Sequence, residues 1–290
     1  MRLCCSGKQE DRLKKYLKKV LFFLVFFSFF SLWAAEKPED FSLIKKVTDG
    51  TLNYSSFELT ITGNGIPETN VTNLNSARIT AEKAAQANAR LKTVKILSSL
   101  VLSGKTTVKA YFDEKNQPDF VERLVNAADF KEVTHERFYS NSSVDVTYKV
   151  DVSGYIRKIT EAVREGALSS EEKAEAASDE SAKTKSVLLI NVKKIEPALL
   201  ISVVDEKGEK IYDISVAGNG RKSPSSVFFA RKKADYLLEK SGLSGETLSV
   251  NAFKITESKI VLKNSDAEKI RAELKQECFR EGRIVIVSAE

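Results

Sequence analysis

Apolar and polar residues alternate most cleanly in the segment "VDVTYKVDV". Val144, Val146, Tyr148, Val150 and Val152 interleave with Asp145, Thr147, Lys149 and Asp151. A period of two sends one set of side chains to each face, which predicts a half-buried β-strand. "SFELTITG" repeats the pattern, with Phe57, Leu59 and Ile61 set against Glu58, Thr60 and Thr62, and it stops at Gly63. Between these strands lies "NSARITAEKAAQANARLKTVKILSSLVLSG", rich in alanine and strong helix formers. It predicts a long helix with Asn75 or Ser76 as cap and Gly104 as its stop. Ala77, Ala81, Ala84, Leu91 and Val94 fall near one face, and small residues there let a helix lie close on a sheet. A shorter helix is predicted in "PDFVERLVNAADF", with Pro118 at its start. Val133–Tyr139 alternates poorly and reads as an edge strand, joined to the Val144 strand through the turn "SNSS". An amphipathic helix from Tyr155 closes this half, and residues 37–56 read as a polar lead-in.

The second half begins again with the apolar run "SVLLINVKK". Two strands are predicted around Asp205–Gly208, a hairpin turn with glycine at its end. "SSVFFARKKADYLLEKSG" reads as a helix, with Val227, Ala230, Ala234 and Leu237 on one face and Gly242 ending it. "TLSVNAFKI" and "KIVLK" read as strands. "NSDAEKIRAELKQECFREG" reads as one helix opened by a capping box, Ser265 with Glu268, that buries Ala267, Ile270, Leu274 and Cys278. "RIVIV" closes the chain as a core strand. The expected class is α+β, with two small domains, each a mainly antiparallel sheet packed with helices. The domains are placed at residues 50–165 and 187–290. Residues 166–186 hold one β-branched residue, Thr184, and no aromatic, so they read as a flexible linker. On this reading each half folds on its own.

Charge changes the picture at the N-terminus. The net charge is +6, but residues 1–19 carry seven basic and two acidic side chains, a charge of +5. That leaves +1 for the rest of the chain, the difference between +6 and +5. A body so close to neutral lacks the basic footprint of a nucleic-acid binder. After the basic stretch comes "VLFFLVFFSFFSLW", Val20 to Trp33, then Ala34 and Ala35. Fourteen apolar or small residues fall short of the roughly 20 that cross a bilayer. Residues 1–35 therefore read as a secretory signal, either cleaved or kept as an inner-membrane anchor, with membrane contact through residues 20–35 if uncleaved. Cys4 and Cys5 precede the apolar run, whereas a lipid-bearing cysteine follows it. The exported part keeps Cys278 alone, so no internal disulfide is possible there.

Candidate chemistry is sparse. "GNG" occurs twice, at Gly63–Gly65 and Gly218–Gly220. A dinucleotide fingerprint needs a third glycine three residues on, where Glu68 and Ser223 stand. "GNGRKS" lacks the leading glycine of a phosphate loop and interposes Arg221. Both pairs read as turns. His135 is the single histidine, expected on a strand and partly exposed. Cys278 reads as a small buried hydrophobe. Carboxylates lie on polar helix faces and turns, so no acid–base pair stands out by spacing. No catalytic, metal-binding or cofactor-binding residue is assigned, and a hydrolase working through surface carboxylates is the weakest reading.

A strand ending in Gly-x-Gly, a helix opening Ala-Arg and carrying alanines, then a hairpin, resembles the twenty-kilodalton bacterial outer-membrane lipoprotein family. It is also similar to the N-terminal domain of flagellar assembly protein T. The residues concerned are Gly63, Gly65, Ala77, Arg78, Ala81, Ala84, Ala85 and Val144–Val152, within about residues 55–165. The second half resembles the C-terminal region that often follows this domain in envelope proteins. There the matches are Pro197-Ala198-Leu199, Asp205 to Gly208, Tyr212, Asn264, Asp266, Ala267, Ile270 and Gly282 to Val287. The resemblance implies a periplasmic envelope protein without enzymatic activity and with a structural or assembly role. Its implied partners are other envelope proteins, flagellar basal-body components among them. The alternative is a periplasmic binding module for a small ligand or cell-wall glycan.

Overall fold

The computed structural model describes residues 42–289, apart from 70, 72, 127–129, 131, 168–185, 219–220, 232–234, 244 and 275. The expected signal or anchor (1–35) and most of the expected linker (166–186) lie outside the described residues. The fold is α+β, as the alternation and helical patterns predict.

The first half is a five-stranded antiparallel sheet in the order β1-β2-β3-β7-β6. Its strands are β1 (Ile44–Val47), β2 (Gly50–Asn53), β3 (Glu58–Gly65), β6 (Glu132–Phe138) and β7 (Val144–Asp151). The stretch read as a polar lead-in thus contains the β1–β2 hairpin. Its apolar residues are few, yet Leu52 is buried where β2 pairs along β3, and Tyr54, just past the strand, is buried against Phe229. The central pair behaves as its pleat dictates. Leu59 and Ile61 of β3, with Val144, Val146, Tyr148 and Val150 of β7, face the core. On the opposite face Thr62 and Thr147 hydrogen-bond at 2.9 Å, and Lys149 pairs with Glu58 at 2.9 Å.

Helix α1 (Leu74–Ser99) lies along the core face. Its cap is Asn73, whose side chain accepts from the Asn75 N–H, two residues before the nearer expected cap. It ends before Leu100, and Gly104, the expected stop, sits at φ +58 in the hairpin between β4 (Val101–Ser103) and β5 (Thr106–Thr107). Its buried row is Ala77, Ala81, Ala85, Ala89 and Thr93. Ala84 lies beside this row and Leu91 is exposed, which corrects the face drawn from the sequence. Two short helices, α2 (Val108–Glu114) and α3 (Phe120–Asn126), and the amphipathic α4 (Ser153–Ala167) complete the half.

The second half holds two four-stranded sheets. One has the order β11-β15-β8-β12, from β8 (Val187–Val192), β11 (Phe228–Arg231), β12 (Thr247–Asn251) and β15 (Ile284–Ser288). It is parallel throughout, where an antiparallel arrangement was expected. Parallel strands covered on both faces need near-continuous apolar runs, and "VLLI" of β8 and "IVIV" of β15 are such runs. Leu188, Ile190, Ile284 and Ile286 enter the main core, while Val187, Val285 and Val287 enter a second cluster with Leu237 and Leu243. The other sheet, β10-β9-β14-β13, is mixed. It is built from β9 (Ser202–Asp205), β10 (Lys210–Tyr212), β13 (Lys254–Thr256) and β14 (Lys259–Leu262).

Two helix expectations are corrected. The run from Ser225 begins as strand β11 and only then forms the short helix α5 (Asp235–Lys240). The last helix is broken into α6 (Asn264–Glu273) and α7 (Gln276–Arg280). Lys263 stands at the cap of α6 and makes no side-chain cap hydrogen bond, so the expected capping box does not form.

Buried side chains of both halves belong to one hydrophobic cluster, running from Leu43 through Leu97 and Val146 to Ile190, Phe229 and Ile286. The Leu199 and Leu200 N–H groups donate to the carbonyls of Val101 and Leu102 at 2.9 and 2.8 Å. Tyr54 meets Phe229 edge to face. The second half therefore lends core to the first rather than standing apart from it.

Candidate functional site

The first Gly-Asn-Gly has a packing role. A Cβ on Gly63 would lie 2.0 Å from the Ala85 carbonyl oxygen, and one on Gly65 would lie 1.8 Å from that of Ala81. The bare backbone of β3 and the alanine row of α1 press together too closely for any side chain at those positions. Where β2 stops, α1 also closes the edge of β3. The Asn64 N–H donates to Asn88 Oδ1 at 3.1 Å, and Lys92 Nζ donates to the Thr62 carbonyl at 2.7 Å. Of the second motif, Gly218 is placed and Asn219–Gly220 lie outside the described residues.

The open end of the five-stranded sheet is the candidate contact surface. β6 pairs with β7 on one side, and among the described residues the sheet ends there. Every residue from Val133 to Ser140 is exposed, so neither face of the strand is covered. Three of these residues, Val133, Phe138 and Tyr139, are large and apolar. Phe138, Val144 and Gly65 form one row across the sheet. Ile66, 76% exposed, follows directly, and Arg78 of α1 lies over the Phe138 ring at 5.3 Å. Leu74, one helical turn before Arg78, is exposed as well. A shift of register at Val133/His135 bends the strand. Beside it, Tyr139 Oη donates to Asp145 Oδ2 at 2.6 Å, and Asn64 Nδ2 donates to Asp145 Oδ1 at 2.6 Å. These hydrogen bonds hold the Asp145 carboxyl below its ordinary range, with Tyr139 the larger cause.

His135 sits on this edge and is exposed, in keeping with its reading as a strand histidine. Cys278 is buried, its thiol pushed up to about 11 mainly by desolvation, and its Sγ lies 3.8 Å from the Arg283 carbonyl. A thiol raised this way is a poor nucleophile at neutral pH. Among the described residues, no group of three or more His, Cys, Asp or Glu side chains could hold a metal ion.

One feature was missed from the sequence. Arg157, Thr160 and Arg164 recur along one face of α4 and meet Ala217, Arg221, Lys222 and Pro224 of the second half. Arg157 Nη1 and Nη2 donate to the carbonyls of Arg221 and Lys222 at 2.9 and 3.2 Å. Arg164 Nη1 donates to the Ala217 carbonyl at 2.7 Å. Arg221 is 2% exposed, and its Nη2 donates to Thr160 Oγ1. The Thr160 hydroxyl lies 2.9 Å from the Pro224 carbonyl. Serines 223, 225 and 226 are buried alongside, and Ser226 Oγ accepts from the Ile201 N–H at 2.7 Å. The spacing of 157, 160 and 164 is a helical one and was visible. That it faced a buried arginine 57 positions beyond Arg164, at 221, was not.

No helix among the described residues is long and apolar enough to cross a membrane. Residues 173–290 match the family model for the second domain of Treponema pallidum Tp0624. The match covers the second half and less than half of the chain. A search of curated proteins finds no match.

Proposed function

We propose that the chain is a non-enzymatic protein of the bacterial cell envelope, exported to the periplasm, with a structural or assembly role exercised through protein–protein contact. The contact surface on this reading is the open β6 edge with Ile66, Leu74 and Phe138 beside it. The observation that carries it is the exposure of Val133–Ser140 on both faces of a strand whose outer edge has no partner strand among the described residues. Such an edge presents a row of free N–H and C=O groups, and an extended segment of a partner can add to it as a further strand. The exposed Val133 and Phe138 side chains would supply the pockets that select the partner. The resemblance of residues 55–165 to envelope lipoproteins and to a flagellar assembly protein supports the location and the partner class. A flagellar basal-body component is one such partner.

Site-specific photo-crosslinking from Thr134 or Glu136 in living cells tests the contact. One discrete adduct with an envelope protein is expected, lost in Phe138→Asp while the variant keeps wild-type abundance. No adduct from either position, or an adduct indifferent to Phe138→Asp, would refute it. A reporter that works only in the periplasm, fused after Glu36, tests the export and should be active. Arginine at Phe26 should abolish that signal, because a charge within the apolar run costs about 2.5–3.5 kcal/mol on insertion scales.

A further inference from the structure

We propose that the carboxyl-terminal edge of the parallel sheet is a contact surface for a bilayer carrying anionic lipids. The four strands run the same way, so the residues that follow them come out along one edge. The register sets them side by side. Arg231, the last residue of β11, pairs with Ser288 of β15, and Ser288 pairs with Val192 of β8. Asn191 of β8 pairs with Asn251 of β12. Lys193 and Lys194 follow β8 directly, and Ala252, Phe253 and Lys254 follow β12. Arg231, Lys193, Lys194 and Lys254 are exposed, and Phe253 is 56% exposed. The backbone that presents this ring is pinned, because the Ala252 N–H donates to the Asn191 carbonyl and the Phe253 N–H to the Val261 carbonyl, both at 2.9 Å. Glu196, three residues after Lys193, is already paired with Lys45 at 3.1 Å and does not offset these cations.

Charge and chain length both favour a membrane as the occupant. Basic side chains beside an anionic bilayer are each worth roughly a fivefold gain in affinity, and aromatic rings settle at headgroup level. The chain outside its first nineteen residues carries +1 in all, so this edge is a local patch and not the broad footprint of a nucleic-acid binder. The tie between Lys45 and Glu196 also places β1 beside the segment that follows β8. Residues 36–43, between the apolar run and β1, can span at most roughly 30 Å. An uncleaved anchor at 20–35 would therefore keep β1, and the basic edge near it, within that tether of the headgroups. The inference rests on the envelope reading for the location of the chain and adds a second surface to it.

A photoreactive amino acid at Phe253 of the full-length chain, incorporated into vesicles of phosphatidylcholine with and without phosphatidylglycerol, tests this. A lipid adduct at that position is expected, several-fold more abundant when phosphatidylglycerol is present. The same group at Glu246, exposed at the opposite end of β12, should give none. Lys193→Gln should lower the phosphatidylglycerol-dependent adduct by up to roughly fivefold, the scale of one cation at an anionic surface. Should that variant fail to fold, Lys254→Gln carries the same expectation. In living cells the adduct from position 253 should again be lipid. The proposal is overturned if position 253 gives no more adduct than position 246, if the yield is indifferent to phosphatidylglycerol, or if both lysine variants behave as wild type does. A discrete protein adduct in place of the lipid one in cells would overturn it as well. The β6 contact is read through protein adducts from Thr134 and Glu136, and export through the reporter, so each reading can fail while the others stand.

Discussion

A Cβ added to Gly65 would lie 1.8 Å from the carbonyl oxygen of Ala81. Neither atom is at the end of a flexible side chain, so strand and helix must part to make room. Gly65→Ala should therefore destabilise the protein by roughly 3 kcal/mol, the upper end of the overpacking range. Gly63→Ala should act alike, since its clash is with the Ala85 carbonyl at 2.0 Å. Gly154→Ala is the control: nothing lies within 4 Å of its added Cβ, and it sits in the first turn of α4. It should melt at or slightly above the wild-type temperature. Urea unfolding of the three variants measures the differences, and a Gly65→Ala protein as stable as wild type would show that the helix can lift away.

Alkaline pH should loosen the contact between the halves. Tyr54 is buried against Phe229, with 6.1 Å between ring centroids, and its hydroxyl is pushed from 10.0 up to about 12 by desolvation first and Glu196 second. The folded state holds this proton more tightly than the unfolded chain does. The stability it contributes is present in full below about pH 10 and is lost as pH rises toward 12. Two units correspond to roughly 2–3 kcal/mol. Tyr212, fully buried and donating to the Ser226 carbonyl, is shifted in the same direction. Tyr54→Phe should remove its share, so the slope of stability against pH between 10 and 12 should be shallower than in wild type.

Cutting the chain between the halves should not separate them. A protease site introduced between Glu172 and Lys173, once cleaved, should leave two pieces that elute together in gel filtration and unfold in one transition. The reason is the shared core, together with the backbone hydrogen bonds from Leu199 and Leu200 to β4. Two pieces that part under native conditions and each unfold cooperatively would instead support halves that stand alone.

His135→Ala should leave both stability and cellular function as in wild type. Its side chain is exposed on β6, and surface substitutions away from buried partners fall within about 0.5 kcal/mol. Loss of function in a variant of normal abundance would reopen a chemical role for the only histidine.

The strand pair at the centre of the first half, the long alanine-rich helix and the closing apolar strand were all legible in the sequence. The strand pair and the helix are specified by a local period, two for β3 and β7 and near four for the alanine row, and the closing strand by an unbroken apolar run. The class α+β followed from their order. β11 was misread because Val227, Phe228, Phe229 and Ala230 are all buried. A strand covered on both faces shows no alternation, and Ala230, Ala234 and Leu237 then mimic a helical face. The parallel pairing of β8, β11, β12 and β15 was concealed for another reason: pairing direction is a property of how the chain returns and not of any one segment, and β12 alternates as an antiparallel strand would.

The candidate sites depended still more on the tertiary structure. The sequence identified Gly63 and Gly65 as special and Val133–Tyr139 as an edge. It could not say that the glycines serve helix–strand contact, because the distance to Ala81 and Ala85 is set by how α1 lies on the sheet. Nor could it distinguish Arg221 from the other basic residues of the chain. An arginine next to Gly-Asn-Gly looks like a solvated loop residue, and only the docking of α4 against Ala217 and residues 221–224 removes it from water and sets it beside Arg157 and Arg164. Local pattern decides which face of an element is apolar. Which charges end up buried together is decided by contacts between residues far apart in the chain, and no local pattern records those.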